Sequence, residues 1–126
     1  AEKYQAIVEL DMANSRMKDF HDIWTLAHNL EFNGEILSEA IRKTFERRKT
    51  ELPNSVPTAF TSEFSEDKTK QTQWRAFLSK GLATREEVTL VDVAQVLRSF
   101  LLPPTEALVS GTAFKMRWTR VGSWTE

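Results

Sequence analysis

The chain has 126 residues and a net charge of −1, which bounds it to one domain with a modest core and excludes a globally basic nucleic-acid binder, though not a local basic patch. Apolar content of 40% and charged content of 28% are those of an ordinary globular protein, and the lack of cysteine excludes disulfides, zinc ribbons and thiol chemistry and agrees with a cytoplasmic location. No run approaches the roughly 18 apolar residues of a membrane span, no signal-peptide pattern opens the chain, and the four glycines form no phosphate-cradling loop.

The first residue is Ala1, and a helical pattern begins at once without a capping residue, so the expectation is a piece cut from a longer protein. Residues 2–13 read as a helix with Tyr4, Ile7, Val8 and Met12 on one face. Asn14-Ser15 interrupts it, and Ser15 is the expected N-cap of a second helix running to about Asn29. Asn33-Gly34 starts a third helix to about Lys49, with Leu37, Ala40, Ile41, Thr44 and Phe45 turned inward. Pro53 and Pro57 mark an irregular connection pinned by Leu52, Val56 and Phe60.

Asp67 predicts a cap for a helix from about Lys68 to Lys80 carrying Trp74, Phe77 and Leu78, stopped at Gly81. Thr89, with Asp92 three residues on, caps the next helix, whose stripe is Val93, Val96, Leu97, Phe100 and Leu101. Pro103-Pro104 is expected to break it, leaving a short helix to Ser110 that ends at Gly111. Residues 111–126, GTAFKMRWTRVGSWTE, lack helical spacing. They predict an extended or short-hairpin tail with Phe114, Trp118 and Trp124 packed back on the helices. The expected fold is all-α: a compact bundle of five to six helices over residues 1–110, with the tail at 111–126, in a single domain.

The second helix puts charge where a core belongs. Met17, Phe20, Ile23, Trp24 and Ala27 form one apolar face at 100° per residue; Arg16 projects into its middle, Asp19 falls between Ile23 and Leu26, and Asp22 lies further round. Buried charge is costly unless paired, ligated or put to use. One reading is an Arg16–Asp19 pair at a helix crossing with Asp22 solvated. The other is a carboxylate facing a cleft, as a magnesium ligand or as the group that positions a hydroxyl.

His21 and His28 share a side of the helix without a third ligand or an HExxH spacing, and read as surface or boundary residues. Arg42, Lys43, Arg47, Arg48 and Lys49 crowd one helix end, as a solvated terminus or as a phosphate-tracking patch for RNA. Lys115, Arg117 and Arg120 interleave with Trp118 and Trp124, either as packed aromatics or as a base-stacking platform.

The segments AEKYQAIVELDMANSRMKDFHDIWTL and FNGEILSEAIRKTFERRKTELP, then QTQWRAFLSKG, VLRSFLLP and the W…GSW ending, resemble the C-terminal half of AbiEii-like nucleotidyltransferases. These are abortive-infection toxins of type IV toxin–antitoxin pairs, related distantly to DNA polymerase β-type transferases. The resemblance covers essentially the whole chain. It implies a C-terminal domain that closes the active-site cleft of a two-part enzyme. The family's N-terminal part carries a Gly-Ser loop and paired aspartates that hold Mg2+ and a nucleoside triphosphate. That part is missing here, so the fragment alone is expected to be inactive, to hold no metal, and to expose apolar surface on its first two helices through which it could dimerise.

By the same resemblance, the family's lysine motif matches Lys3, implying contact with the triphosphate. Its RxKDxxD motif matches Arg16, Asp19 and Asp22, one aspartate orienting the attacking hydroxyl or its proton. Implied partners are the tRNA acceptor end and a cognate antitoxin. Two other readings stay open: a non-catalytic helical module that binds RNA or a partner protein, and a transferase or kinase acting on a small molecule.

Overall fold

The computed structural model describes residues 1–80 and 88–126, so the expected helix stop at Gly81 lies outside the described residues. Helix α1 (Glu2–Leu10) runs into a 3₁₀ turn at Asp11–Ala13, and α2 (Met17–Asn29) is followed by a two-residue strand β1 (Phe32–Asn33) and α3 (Gly34–Arg47). A 3₁₀ turn at Thr58–Phe60 leads to the one-turn α4 (Ser62–Ser65), then α5 (Lys68–Ser79) and the long α6 (Leu90–Ser110). The tail forms an antiparallel hairpin of β2 (Arg117–Trp118) and β3 (Trp124–Thr125). β2 also pairs with β1, Phe32 opposite Trp118, giving the order β1-β2-β3. The fold is therefore mostly helical with a small three-stranded sheet, rather than purely all-α.

Local chemistry accounts for most boundaries. Asp67 and Thr89 cap α5 and α6 as expected, and Asn33, at the expected start of α3, caps that helix; they accept from the amides of Lys70, Asp92 and Ile36 at 3.0, 3.1 and 3.0 Å. Ser15 does not cap α2. Asn14 Oδ1 accepts from the Arg16 amide at 2.8 Å in an Asx turn, and Arg16 is the boundary residue. The first helix ends early because Asp11 takes a φ of 49°, which no regular helix allows. Ala40 is exposed and Leu37 half-buried, because the inward seam of α3 is centred on Gly34, Ser38, Ile41 and Phe45.

Pro103 and Pro104 do not break α6, which runs on to Ser110 and ends at Gly111 with a left-handed φ of 72°. The two prolines leave the carbonyls of Ser99 and Phe100 without helical donors. Ser99 lies on the exposed side, and the Phe100 carbonyl accepts from Trp124 Nε1 at 3.1 Å. The tail thus repairs the helix.

The core lies where α2 faces α6. Met17, Phe20, Ile23, Trp24 and Ala27 are all buried, as are Val93, Leu97, Phe100 and Leu101 opposite. Phe60 is buried, with Leu52 and Val56 packed against the core, so the irregular connection is pinned as expected. Trp118 donates from Nε1 to the Ala27 carbonyl at 2.8 Å, satisfying one of the orphan acceptors at the end of α2. No helix among the described residues is long and apolar enough to cross a membrane.

Candidate functional site

The first turn of α1 and the start of α2 converge on one charged cluster. Lys3 Nζ lies 3.0 Å from Asp22 Oδ2 and 3.7 Å from Asp19 Oδ1. Arg16 Nε lies 3.1 Å from Asp19 Oδ2, and Lys18 Nζ donates to Asp22 Oδ2 at 2.8 Å. All four residues singled out from the sequence come together, joined by Lys18 from the same RxKDxxD run. Arg16 does not project into the apolar face. It precedes the helix with φ −85° and ψ 71°, and its side chain is 59% exposed. Asp19, in contrast, is carried inward by the first turn of α2 beside buried Phe20 and Ile23, and is only 4% exposed.

The two aspartates differ in their partners. Burial pushes the Asp22 carboxyl up, but hydrogen bonds from Lys18 and Lys3 outweigh this and hold it below the usual carboxylate range. The Asp22 bond holds Lys3 above its usual value, against a smaller effect of burial. At Asp19 the Arg16 contact is Coulombic only. Nε is within ion-pair distance, yet no group among the described residues makes a hydrogen bond to the buried Oδ2. Leaving such an oxygen without a donor costs about 1–3 kcal/mol or more.

Beside Asp19 a cleft of about 480 Å³ opens between the start of α2 and α5, lined by Arg16, Met17, Lys18 and Asp19 on one side and Gln73, Ala76, Phe77 and Lys80 on the other. Gln73 escaped the sequence reading. Its Oε1 is buried without a hydrogen-bond partner among the described residues. The one sequence signal was its place four residues before Phe77, on the same face of α5.

The other candidates resolve differently. His21 is not a surface residue: it is 7% exposed, with its ring centroid 5.6, 6.2 and 5.5 Å from those of Trp24, Trp74 and Phe77. His28 is exposed and its Nδ1 is 3.1 Å from the Trp24 carbonyl. The basic end of α3 is largely charge-compensated. Arg42 pairs with Glu39 and Glu46, and Arg47 and Arg48 both reach Glu2, while Lys43 makes no ion pair among the described residues. In the tail Trp118 is 1% exposed, and packed against Phe100 and Trp124, so it offers no stacking platform. The expected apolar surface on the first two helices is small: Leu26 is their exposed large hydrophobic among the described residues, with Leu30 just beyond.

No curated protein and no solved structure matches the chain. The family described as "Nucleotidyl transferase AbiEii toxin, Type IV TA system" matches residues 1–109. The match spans α1 to α6 and takes in Lys3, Arg16, Asp19 and Asp22 together with the cleft beside them. The chain belongs to the AbiEii nucleotidyltransferase toxin family of type IV toxin–antitoxin systems.

Proposed function

We propose that these residues form the helical part of a magnesium-dependent nucleotidyltransferase whose acceptor is the end of a tRNA, with Asp19 orienting the attacking hydroxyl and Lys3 and Arg16 setting positive charge beside the nucleotide triphosphate. The observation that supports this reading is Asp19 Oδ2, a buried carboxylate oxygen on a residue that lines an open cleft, which Arg16 faces at 3.1 Å but to which no group among the described residues makes a hydrogen bond. An acceptor hydroxyl brings the missing donor and is held for attack. Its oxygen bonds to the α-phosphorus and the bond from that phosphorus to the bridging oxygen breaks. Pyrophosphate leaves with the electron pair, and the hydroxyl proton passes to Asp19 and then to solvent. When Lys3 turns to the triphosphate, Lys18 keeps Asp22 neutralised.

Cations face both Asp19 and Asp22, and no group of three metal-ligating side chains occurs among the described residues. The family resemblance assigns the magnesium to other groups, and no step of this reading runs through it. The type IV family implies an antitoxin partner. The reading places the pair in the cytoplasm.

The test is incubation of the full-length protein with magnesium, each α-labelled nucleoside triphosphate in turn and total RNA, beside an Asp19→Asn variant shown to be folded by circular dichroism. The expected result is label entering RNA with the native protein and lost with the variant. No label, or label indifferent to Asp19, sinks the assignment and leaves a helical binding module in which Asp19 only ties α1 to α2.

A further inference from the structure

The cleft beside Asp19 has a second wall that the reading above leaves unused. Gln73, Phe77 and Lys80 lie at i, i+4 and i+7 along α5 and its C-cap, so they share one face. Gln73 and Asp19 both line this cleft, and each carries a buried acceptor, Gln73 Oε1 and Asp19 Oδ2, without a hydrogen-bond partner among the described residues. Arg16 compensates the charge of Asp19 Oδ2 but makes no hydrogen bond to it, so a ligand that brings two hydroxyl donors satisfies both acceptors. Arg16, Lys18 and Lys80 line the same space, which selects for a ligand that also carries negative charge. Phe77, half-buried, offers aromatic surface to a flat group. A ribose with its vicinal hydroxyls, a phosphate and a base meets each of these demands.

We propose that Gln73 reads the 2′-hydroxyl of the acceptor ribose while Asp19 holds the 3′-hydroxyl, so that the cleft selects ribose-ended over deoxyribose-ended acceptors. This rests on the role of Asp19 proposed above. Gln73 touches the substrate and sets its identity, and it takes no proton. The 2′-hydroxyl is the group by which a protein tells RNA from DNA at a given position.

Equilibrium binding tests this without turnover. Fluorescence anisotropy is measured for the protein with 5′-labelled single-stranded RNA hexamers that differ only in their last sugar, ribose or 2′-deoxyribose. The expected preference for ribose is about tenfold, the size of one well-made hydrogen bond into a buried acceptor. Gln73→Met should drop ribose-ended binding to the deoxyribose level. Gln73→Glu keeps an accepting oxygen and should retain the preference while binding both hexamers more weakly.

Unlabelled ribonucleoside monophosphate as competitor distinguishes a free nucleotide from an RNA end as the source of the diol. Failure of the native protein to bind either hexamer, absence of the preference, or its survival in a folded Gln73→Met variant overturns the proposal. Absence of nucleotide transfer with the sugar preference intact overturns the transferase reading alone. Transfer that depends on Asp19 but ignores the last sugar overturns this proposal alone.

Discussion

The indole N–H of Trp124 donates to the carbonyl of Phe100 at 3.1 Å, the acceptor that Pro104 leaves without a helical partner. A residue near the end of the chain thereby holds together a helix that its own sequence would break. Trp124→Phe keeps an aromatic ring stacked near Phe100, where the centroids now lie 5.9 Å apart, but removes the donor. It is expected to lower stability by about 1–3 kcal/mol in urea denaturation. Amide exchange in the last turns of α6 should quicken, and no change in either measurement would mean that water already serves that carbonyl.

Gly34 is needed for close approach rather than for a turn. Its amide donates to the Met116 carbonyl at 2.7 Å, and a Cβ there would stand 2.6 Å from the same oxygen and 2.7 Å from the Phe114 ring. Backbone cannot yield as a flexible side chain can. Gly34→Ala should cost about 1–3 kcal/mol through overpacking and push the tail off α3. The tryptophan emission should shift to the red as Trp118 and Trp124 meet water.

Tyr4 anchors α1 to α6. Thr105 donates its hydroxyl to the Leu101 carbonyl at 2.7 Å, so Tyr4 must donate to Thr105 Oγ1, also at 2.7 Å. Burial pushes the Tyr4 phenol up to about 12. A group raised in the folded state contributes stability below its unfolded value, about 10, and loses it as pH rises through the folded one. The native protein should therefore lose stability between about pH 10 and 12. Tyr4→Phe should remove that alkaline loss and cost about 1 kcal/mol at neutral pH.

Asp22 has the opposite sign. Its folded value is depressed, so its contribution is present above the unfolded value near 4 and fades as pH falls through the folded one. The Lys3 side chain is 43% exposed, so solvent screening keeps the Lys3–Asp22 pair near the roughly 0–1 kcal/mol of surface ion pairs. Asp22→Asn should shrink the acid limb of a stability–pH curve by that amount. An unchanged limb would show that the pair contributes nothing to folding.

Lys3→Met removes a point charge from the proposed triphosphate contact. In the full-length protein the KM for the nucleotide should rise about tenfold or more, with a smaller fall in kcat. A fall in kcat alone would relocate Lys3 to the acceptor side.

Helix starts were legible because caps are local. Asn33, Asp67 and Thr89 each accept from an amide three residues on, and that spacing is visible in the chain. The Asn14 turn was harder to read, since Ser15 offered an equally good local cap. What favours Asn14 comes from afar: it is fully buried, and Lys70 on α5 donates to its carbonyl at 2.7 Å. On α3 the tail lies against Gly34, which is buried, while Ala40 is exposed.

By itself the sequence determined the apolar stripes and most caps, because periodicity and short spacing act within a helix; it was the family resemblance, not periodicity, that set Lys3 beside Arg16, Asp19 and Asp22. Only tertiary structure decided that α6 survives two prolines, that His21 is enclosed by three aromatic rings, and that Asp19 and Gln73 line one cleft while Asp19 Oδ2 and Gln73 Oε1 are buried without a hydrogen-bond partner among the described residues. The reason is physical. A missing donor becomes costly only when packing has excluded water, and which atoms packing excludes is a property of the assembled chain.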